Sequence, residues 1–281
     1  MISGKHTRVF GCVLATALAL AMPASGMAQD NQADSAPAEE EFNPIDPVAL
    51  DLLEGSMGYV SSLQNFSFDW FISSDTVVEG REKITYVNSG TTIMARGRGF
   101  TSRTERGLTL RDFYFDGETF VVASPDQGFY ASAAFDGSFE ELVDRARSDT
   151  DLELPVWTML TDDLPERLTS GVTAAAYLET TKIVGREVHH VSFVGDVHDW
   201  QVWISADPER PVPLMLVGTR TDQQGWPQFR VNMMDWQTGL DIADEDISFT
   251  PDEGLMRIAM PSFSREAVEE SSSGNEEGAG S

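Results

Sequence analysis

The chain has 281 residues and carries 46 acidic against 19 basic side chains, a formal net charge of −27 at neutral pH. Such a charge repels phosphate backbones, which sets nucleic acid aside as a partner. A lone cysteine, Cys12, excludes a disulfide framework, so stability must come from an ordinary apolar core, and the chain is long enough to bury one.

Residues 1–28 read as a secretory signal. Lys5 and Arg8 precede the apolar run Val9 to Met22, and small residues lead up to Ala28. The run is short for a membrane span. Cys12 precedes the apolar run, whereas a lipid-attachment cysteine closes it, so lipidation is not expected there. Residues 29–44 and 263–281 have little that can pack and are predicted to be a disordered acidic linker and tail. One domain, 45–262, remains.

The domain opens with a predicted helix over 47–63. Asp46 supplies the cap and Pro47 the first helical position, while Val48, Leu52, Leu53, Met57, Val60 and Leu63 form an apolar stripe. The period then changes to two. Phe66, Phe68, Trp70 and Ile72 alternate with Ser67, Asp69 and Ser73. Further strands are predicted near 81–88, 91–97, 99–105, 108–115 and 119–124, with Asp116-Gly117 as a hairpin turn, and an extended segment resumes at Phe129. Ser138 and Glu141 have capping-box spacing and open a short helix to about Arg147. Pro155 starts an apolar segment with Val156, Trp157, Met159, Leu160, Leu164 and Leu168. Asp162-Asp163 and Pro165 interrupt it, giving two short helices or a helix and a lid loop.

The chain returns to sheet near Ala175 and turns at Gly185-Arg186. Four strands follow near 187–194, 198–205, 213–221 and 227–236. Here Trp200, Val202 and Ile204 share one parity and Trp203 takes the other, so both faces carry large apolar groups. A sheet wetted on one side alternates apolar and polar. Something must therefore cover, or be able to occupy, the second face. About 10–11 antiparallel strands with a helix before them and helices between them form an α+β pattern. A sheet of that size curls and encloses an apolar space beneath its helices.

Several pieces in combination carry a resemblance. They are Asp46-Pro47 with Leu52-Leu53, Leu63 with Phe66-Ser67-Phe68, Phe113-Tyr114-Phe115-Asp116-Gly117-Glu118-Thr119, Glu153-Leu154-Pro155, Val188-His189-His190-Val191, Asp199-Trp200-Gln201-Val202-Trp203-Ile204 and Phe249-Thr250-Pro251. Over about 45–255 the chain resembles a family of predicted periplasmic bacterial proteins of unknown function, itself similar to the lipoprotein carriers LolA and LolB. The resemblance implies a curved, half-open antiparallel β-barrel closed by a helical lid around a hydrophobic cavity. In those carriers the cavity takes lipoprotein acyl chains. The expectation is a periplasmic, non-enzymatic protein that binds a lipid, an acyl chain or a lipidated protein between sheet and lid. The alternative is a sensor or regulator that meets an envelope protein without a lipid ligand.

The chemistry-bearing residues fit this frame. His189 and His190 are strand neighbours that point to opposite faces, and His198 lies across a hairpin from them. Two histidines with Asp196 or Asp199 would make a metal set, but hydrogen-bonded strand histidines are the simpler reading. There is no HExxH, GxSxG or Gly-rich phosphate loop, so no catalytic residue, metal or cofactor is expected. Arg96, Arg98, Arg103, Arg106 and Arg111 form a basic island in which Glu105 is the one acid. Arg96, Arg98 and Arg103 would meet a lipid head group or an acidic partner, unless the abundant carboxylates already pair with them. Phe68, Trp70, Phe113, Phe115, Trp157, Leu160 and Trp203 are the expected cavity lining, with an ordinary core as the competing reading.

Overall fold

The computed structural model describes residues 44–149 and 156–260. The expected signal and tail, nearly all of the linker, and Pro155 lie outside the described residues.

Helix α1 spans Pro47–Ser62, and the Asp46 carboxylate accepts the Val48 N–H at 2.9 Å. Proline at the first position gives up no helical bond. Its buried face is Ala49, Leu53, Ser56, Met57 and Val60, which rotates the expected stripe, because Val48 stands 49% exposed. Apolar identity cannot separate neighbouring positions in a helix. The small side chains of Ala49 and Ser56 let α1 sit close on the sheet, where it crosses the strands that follow residue 172.

The strands are β1 (Asn65–Val78), β2 (Glu82–Ala95), β3 (Gly99–Arg106), β4 (Thr109–Phe115), β5 (Thr119–Ser124) and β6 (Phe129–Ala134). Next come α2 (Phe139–Asp149), a single 3₁₀ turn (Trp157–Met159) and α3 (Leu164–Thr169). Strands β7 (Val172–Ile183), β8 (Arg186–Gly195), β9 (His198–Ser205), β10 (Pro213–Arg220) and β11 (Gln228–Thr238) follow, then α4 (Asp244–Ile247) and β12 (Met256–Ile258). The sequence signals at α2 hold in detail. Glu141 accepts the Ser138 N–H at 2.8 Å, and Ser138 Oγ accepts the Glu141 N–H at 3.2 Å.

All twelve strands form one open sheet in the order β12-β6-β5-β4-β3-β2-β1-β11-β10-β9-β8-β7. Two meanders thus join along β1 and β11, with Ile72 opposite Val231. The sheet is curved and does not close into a barrel. The expected strands at 81–88 and 91–97 are a single strand, β2, because Gly90 continues the ladder opposite Trp70. The twelfth strand is three exposed residues pairing in parallel with β6, too short to carry a pattern. At the other edge, Ile45 bridges Ala175 of β7.

The C-terminal segment covers the outer face of the first meander. Ile242 and Ile247 bury themselves with Ala95, Phe249 packs 5.2 Å from Tyr114 and 5.1 Å from Tyr130, and Thr101 Oγ1 donates to the Asp246 carbonyl at 2.7 Å.

Asp75 ties the β1–β2 arm to β11. It accepts Thr85 Oγ1 at 2.7 Å and the Gln228 N–H at 3.1 Å, with Lys83 Nζ at 3.3 Å. Burial pushes its carboxyl up, but the Thr85 hydroxyl, the Gln228 amide and the Lys83 ammonium together outweigh burial and hold it below the usual range. A depressed carboxyl contributes stability above its unfolded pKa and loses it as pH falls through the folded value. The stability gap between the wild type and Asp75→Asn should therefore be full at neutral pH and narrow below about pH 4. Denaturant titrations of both proteins across pH 3–7 test this, and a gap independent of pH would remove the assignment.

Candidate functional site

The concave face is built from inward residues of successive strands, held in register by the ladder. Directly opposed residues share a face. One run of five opposed residues is Ile72, Val231, Leu216, Val202 and Val191, every member at most 3% exposed. Phe66, Phe68 and Trp236 stack beside it, with Phe68 and Trp236 centroids 4.4 Å apart. Trp70 crosses Gly90 and donates Nε1–H to Thr92 Oγ1 at 3.1 Å, and Thr92 in turn bonds Ser102 Oγ at 3.1 Å. That satisfies the polar groups there, as burial demands.

The helical cover meets this floor through Trp157. Its indole is fully buried and lies edge-on to Phe100 at 4.7 Å, Phe113 at 4.8 Å and Phe120 at 6.0 Å. Trp157 Nε1 has no hydrogen-bond partner among the described residues. Leu160, Leu164 and Leu168 bury themselves in the same cluster. The fold therefore gathers six of the seven expected lining residues, Phe68, Trp70, Phe113, Phe115, Trp157 and Leu160, into one packed cluster. Trp203 is not among them on that face. It is half-buried on the opposite side, opposed to Met215 and stacked on His190 at 4.0 Å. The parity was legible, but which parity faces the helices was not.

Where the cluster reaches the rim, a cleft of about 430 Å³ opens between the β2–β3 turn, the β4–β5 turn and the start of α2. Met94, Phe100, Phe115 and Phe139 make its apolar part, and Arg96, Arg98, Glu140 and Asp162 its polar part.

Three arginines of the basic island find separate carboxylates. Arg96 donates to the Leu63 carbonyl at 3.2 Å and the Val60 carbonyl at 3.4 Å, closing the C-terminus of α1, and reaches Asp162 at 3.4 Å. A cation at that end also complements the helix dipole. Arg98 holds Asp244 at 3.0 Å and the Ile242 carbonyl at 2.9 Å. Arg103 forms a fork on Asp112, at 2.9 and 3.0 Å, on the outer face. Hydrogen bonding to Asp112 pushes the Arg103 guanidinium further up, and burial, reinforced by Asp112, pushes the Tyr114 hydroxyl up. Each of the three arginines thus has its own acidic partner, while Arg96 and Arg98 share the rim of the cleft.

The histidines sit among polar and aromatic neighbours. His190 Nε2 lies 3.1 Å from Gln201 Oε1, His189 Nδ1 lies 3.4 Å from both Tyr177 and Thr180 hydroxyls, and His198 stacks on Trp200 at 5.6 Å. Among the described residues no group of three His, Cys, Asp or Glu is placed to hold a metal ion.

One feature escaped the sequence reading. The row next to the buried one, toward the β10–β11 turn, is Tyr86, Ser74, Phe229, Gly218, Trp200, Phe193 and Ala175, in register across seven strands. Phe193 is fully buried, Phe229 and Trp200 are half-buried, and Tyr86 is 45% exposed. The concave face thus runs out past its helical cover as an aromatic shelf. The signal for it was Gly218, a glycine inside a strand pattern, which marks a close approach. Here the approach is that of the Trp200 ring.

Residues 49–260 match a family described as "Predicted periplasmic protein (DUF2092)". No curated protein matches the chain. Several solved structures are similar to it. LprF from Mycobacterium bovis has 11% identity and a TM-score of 0.44 over 71% of this chain and 97% of that one. A LolA superfamily protein from Nitrosomonas europaea has 12% identity and a TM-score of 0.33 over 72% and 97%. The MucA/MucB complex of Pseudomonas aeruginosa has 13% identity and a TM-score of 0.39 over 72% and 61%.

Proposed function

The chain belongs to the DUF2092 family of predicted periplasmic proteins, and from that premise we propose that it is a non-enzymatic binding protein that holds a lipid, an acyl chain or a lipidated polypeptide between its sheet and its helical cover. One observation carries this reading. Among the described residues, the backbone hydrogen bonds of residues 156–170 are all local, as from Leu160 to Trp157, Arg167 to Asp163 and Ser170 to Glu166. The cover rests on the sheet through apolar side chains and the Arg96–Asp162 pair. It can lift without breaking a strand ladder, exposing a floor of rings and aliphatic groups that suits a hydrocarbon chain.

A second reading, an envelope-protein sensor, draws on a different observation. Phe71 and Met234 are 38% and 41% exposed on the outer face that also carries Trp203. Aromatic and Met side chains suit a protein partner there.

Trp157 fills the space that a ligand would occupy. Titrating the exported chain with an apolar fluorescent probe should give binding, and Trp157→Ala should bind more tightly, because an apolar void accepts an apolar guest. A probe that neither protein binds would sink the proposal.

A further inference from the structure

We infer that the aromatic shelf at the open end of the concave face is where an apolar chain enters and lies against the sheet. The inference rests on the lipid-binding reading and adds the place and the chemistry. No residue of the shelf row itself is charged, and among the described residues the one guanidinium over it is that of Arg106, 5.8 Å from the centroid of the Tyr86 ring at its end. From Phe229 to Phe193 the shelf thus offers a charged head group no opposite charge, whereas its rings and Gly218 suit a hydrocarbon chain. The shelf is also continuous with the buried floor. Phe229 and Trp200 flank Gly218, and the next row inward opens on Ile72 and Leu216, 2% and 3% exposed. A chain lying on Phe229 thus needs only to advance one row to pass beneath the cover.

Gly218 sets the depth. A Cβ there would stand 2.5 Å from the Trp200 ring, so only glycine lets the indole lie flat across the strand. A flat ring over a glycine is a smooth surface for a methylene chain, which needs area rather than directed bonds. Charge sits at the ends of the shelf, where Arg220 and Asp222 pair at 2.8 Å on one side and Arg106 lies over Tyr86 on the other. The head of an amphiphile would remain there, in water.

The test titrates the exported full-length chain with a long-chain fatty acid brominated at mid-chain, since bromine quenches a neighbouring indole. Quenching is expected in the wild type, and Trp200→Phe should remove the larger part of it. Trp203→Phe, on the opposite face, should leave it unchanged. Phe229→Ser should weaken binding about tenfold, the loss of one ring's contact, and Gly218→Val should weaken it further by displacing the Trp200 ring. If the wild type binds no fatty acid, the lipid-binding reading fails and takes this inference with it. If the wild type binds but the Trp200 and Phe229 variants match it in quenching and affinity, the shelf inference alone is overturned. It is equally overturned if the ligand-free chain sediments as a dimer that Phe229→Ser dissociates, for the shelf would then be an interface between copies.

Discussion

Trp157→Ala lowers the unfolding free energy by about 3–5 kcal/mol, the range for removing a buried large aromatic side chain. Three phenylalanine rings, Phe100, Phe113 and Phe120, lie edge-on around the indole and lose their common neighbour. The local tether of residues 156–170 decides where in the range the value falls. A segment free to settle toward the void brings the loss to the lower end, and a segment held by Leu160 and Leu164 leaves the void open. Trp157→Phe should be much milder, about 1–2 kcal/mol, because it keeps a ring and removes a buried N–H that has no partner among the described residues. Urea denaturation followed by far-ultraviolet circular dichroism measures both. A loss under about 1 kcal/mol for the alanine variant would show that the cover is not anchored at this residue.

Gly90→Ala is expected to be comparably damaging, about 3 kcal/mol or more, although in sequence Gly90 falls at an expected break between two strands. Replacing glycine in a strand ordinarily helps, since glycine loses more backbone freedom on folding. Here the new Cβ would stand 2.0 Å from the Arg103 carbonyl oxygen and 2.3 Å from Trp70 Cζ2. Neither neighbour can give way. The carbonyl belongs to the β2–β3 ladder, and the indole is fixed by its bond to Thr92. Gly55→Ala is the natural control. Nothing lies within 4 Å of a Cβ at Gly55 in α1, so that change should stabilise by about 0.5–1 kcal/mol. Thermal or urea denaturation separates the two signs, and a neutral Gly90→Ala would mean that β2 and β3 can part without loss.

Local signals reported local structure faithfully. Asp46-Pro47 starting α1, Ser138 with Glu141 starting α2, and Asp116-Gly117 turning β4 into β5 all act over two or three residues. The alternation from Phe66 to Ile72 also named its buried side correctly. The basic island allowed two readings, a shared surface or arginines already paired with carboxylates. Five arginines close in sequence suggested a shared surface, yet Arg96 and Arg98 find partners 66 and 146 residues away. Nothing within the island encodes those distances. The Arg103 fork on Asp112 is nearer in sequence, but it depends on the β3–β4 register.

Local sequence was enough for the α+β class, the two meanders, the caps of α1 and α2, and the alternation in β1 and β9. Each of these is decided by side chains within one or two turns, through backbone dihedral preference and the periods of 2 and 3.6. The folded chain alone settles that β1 pairs with β11, that the C-terminal segment covers one outer face, and that the Trp200 side rather than the Trp203 side faces the interior. It also decided that the concave face extends beyond its cover as a shelf. These depend on which apolar surfaces meet across long separations. Burial is non-directional, so any apolar face could in principle cover any other, and chain geometry and register make the selection.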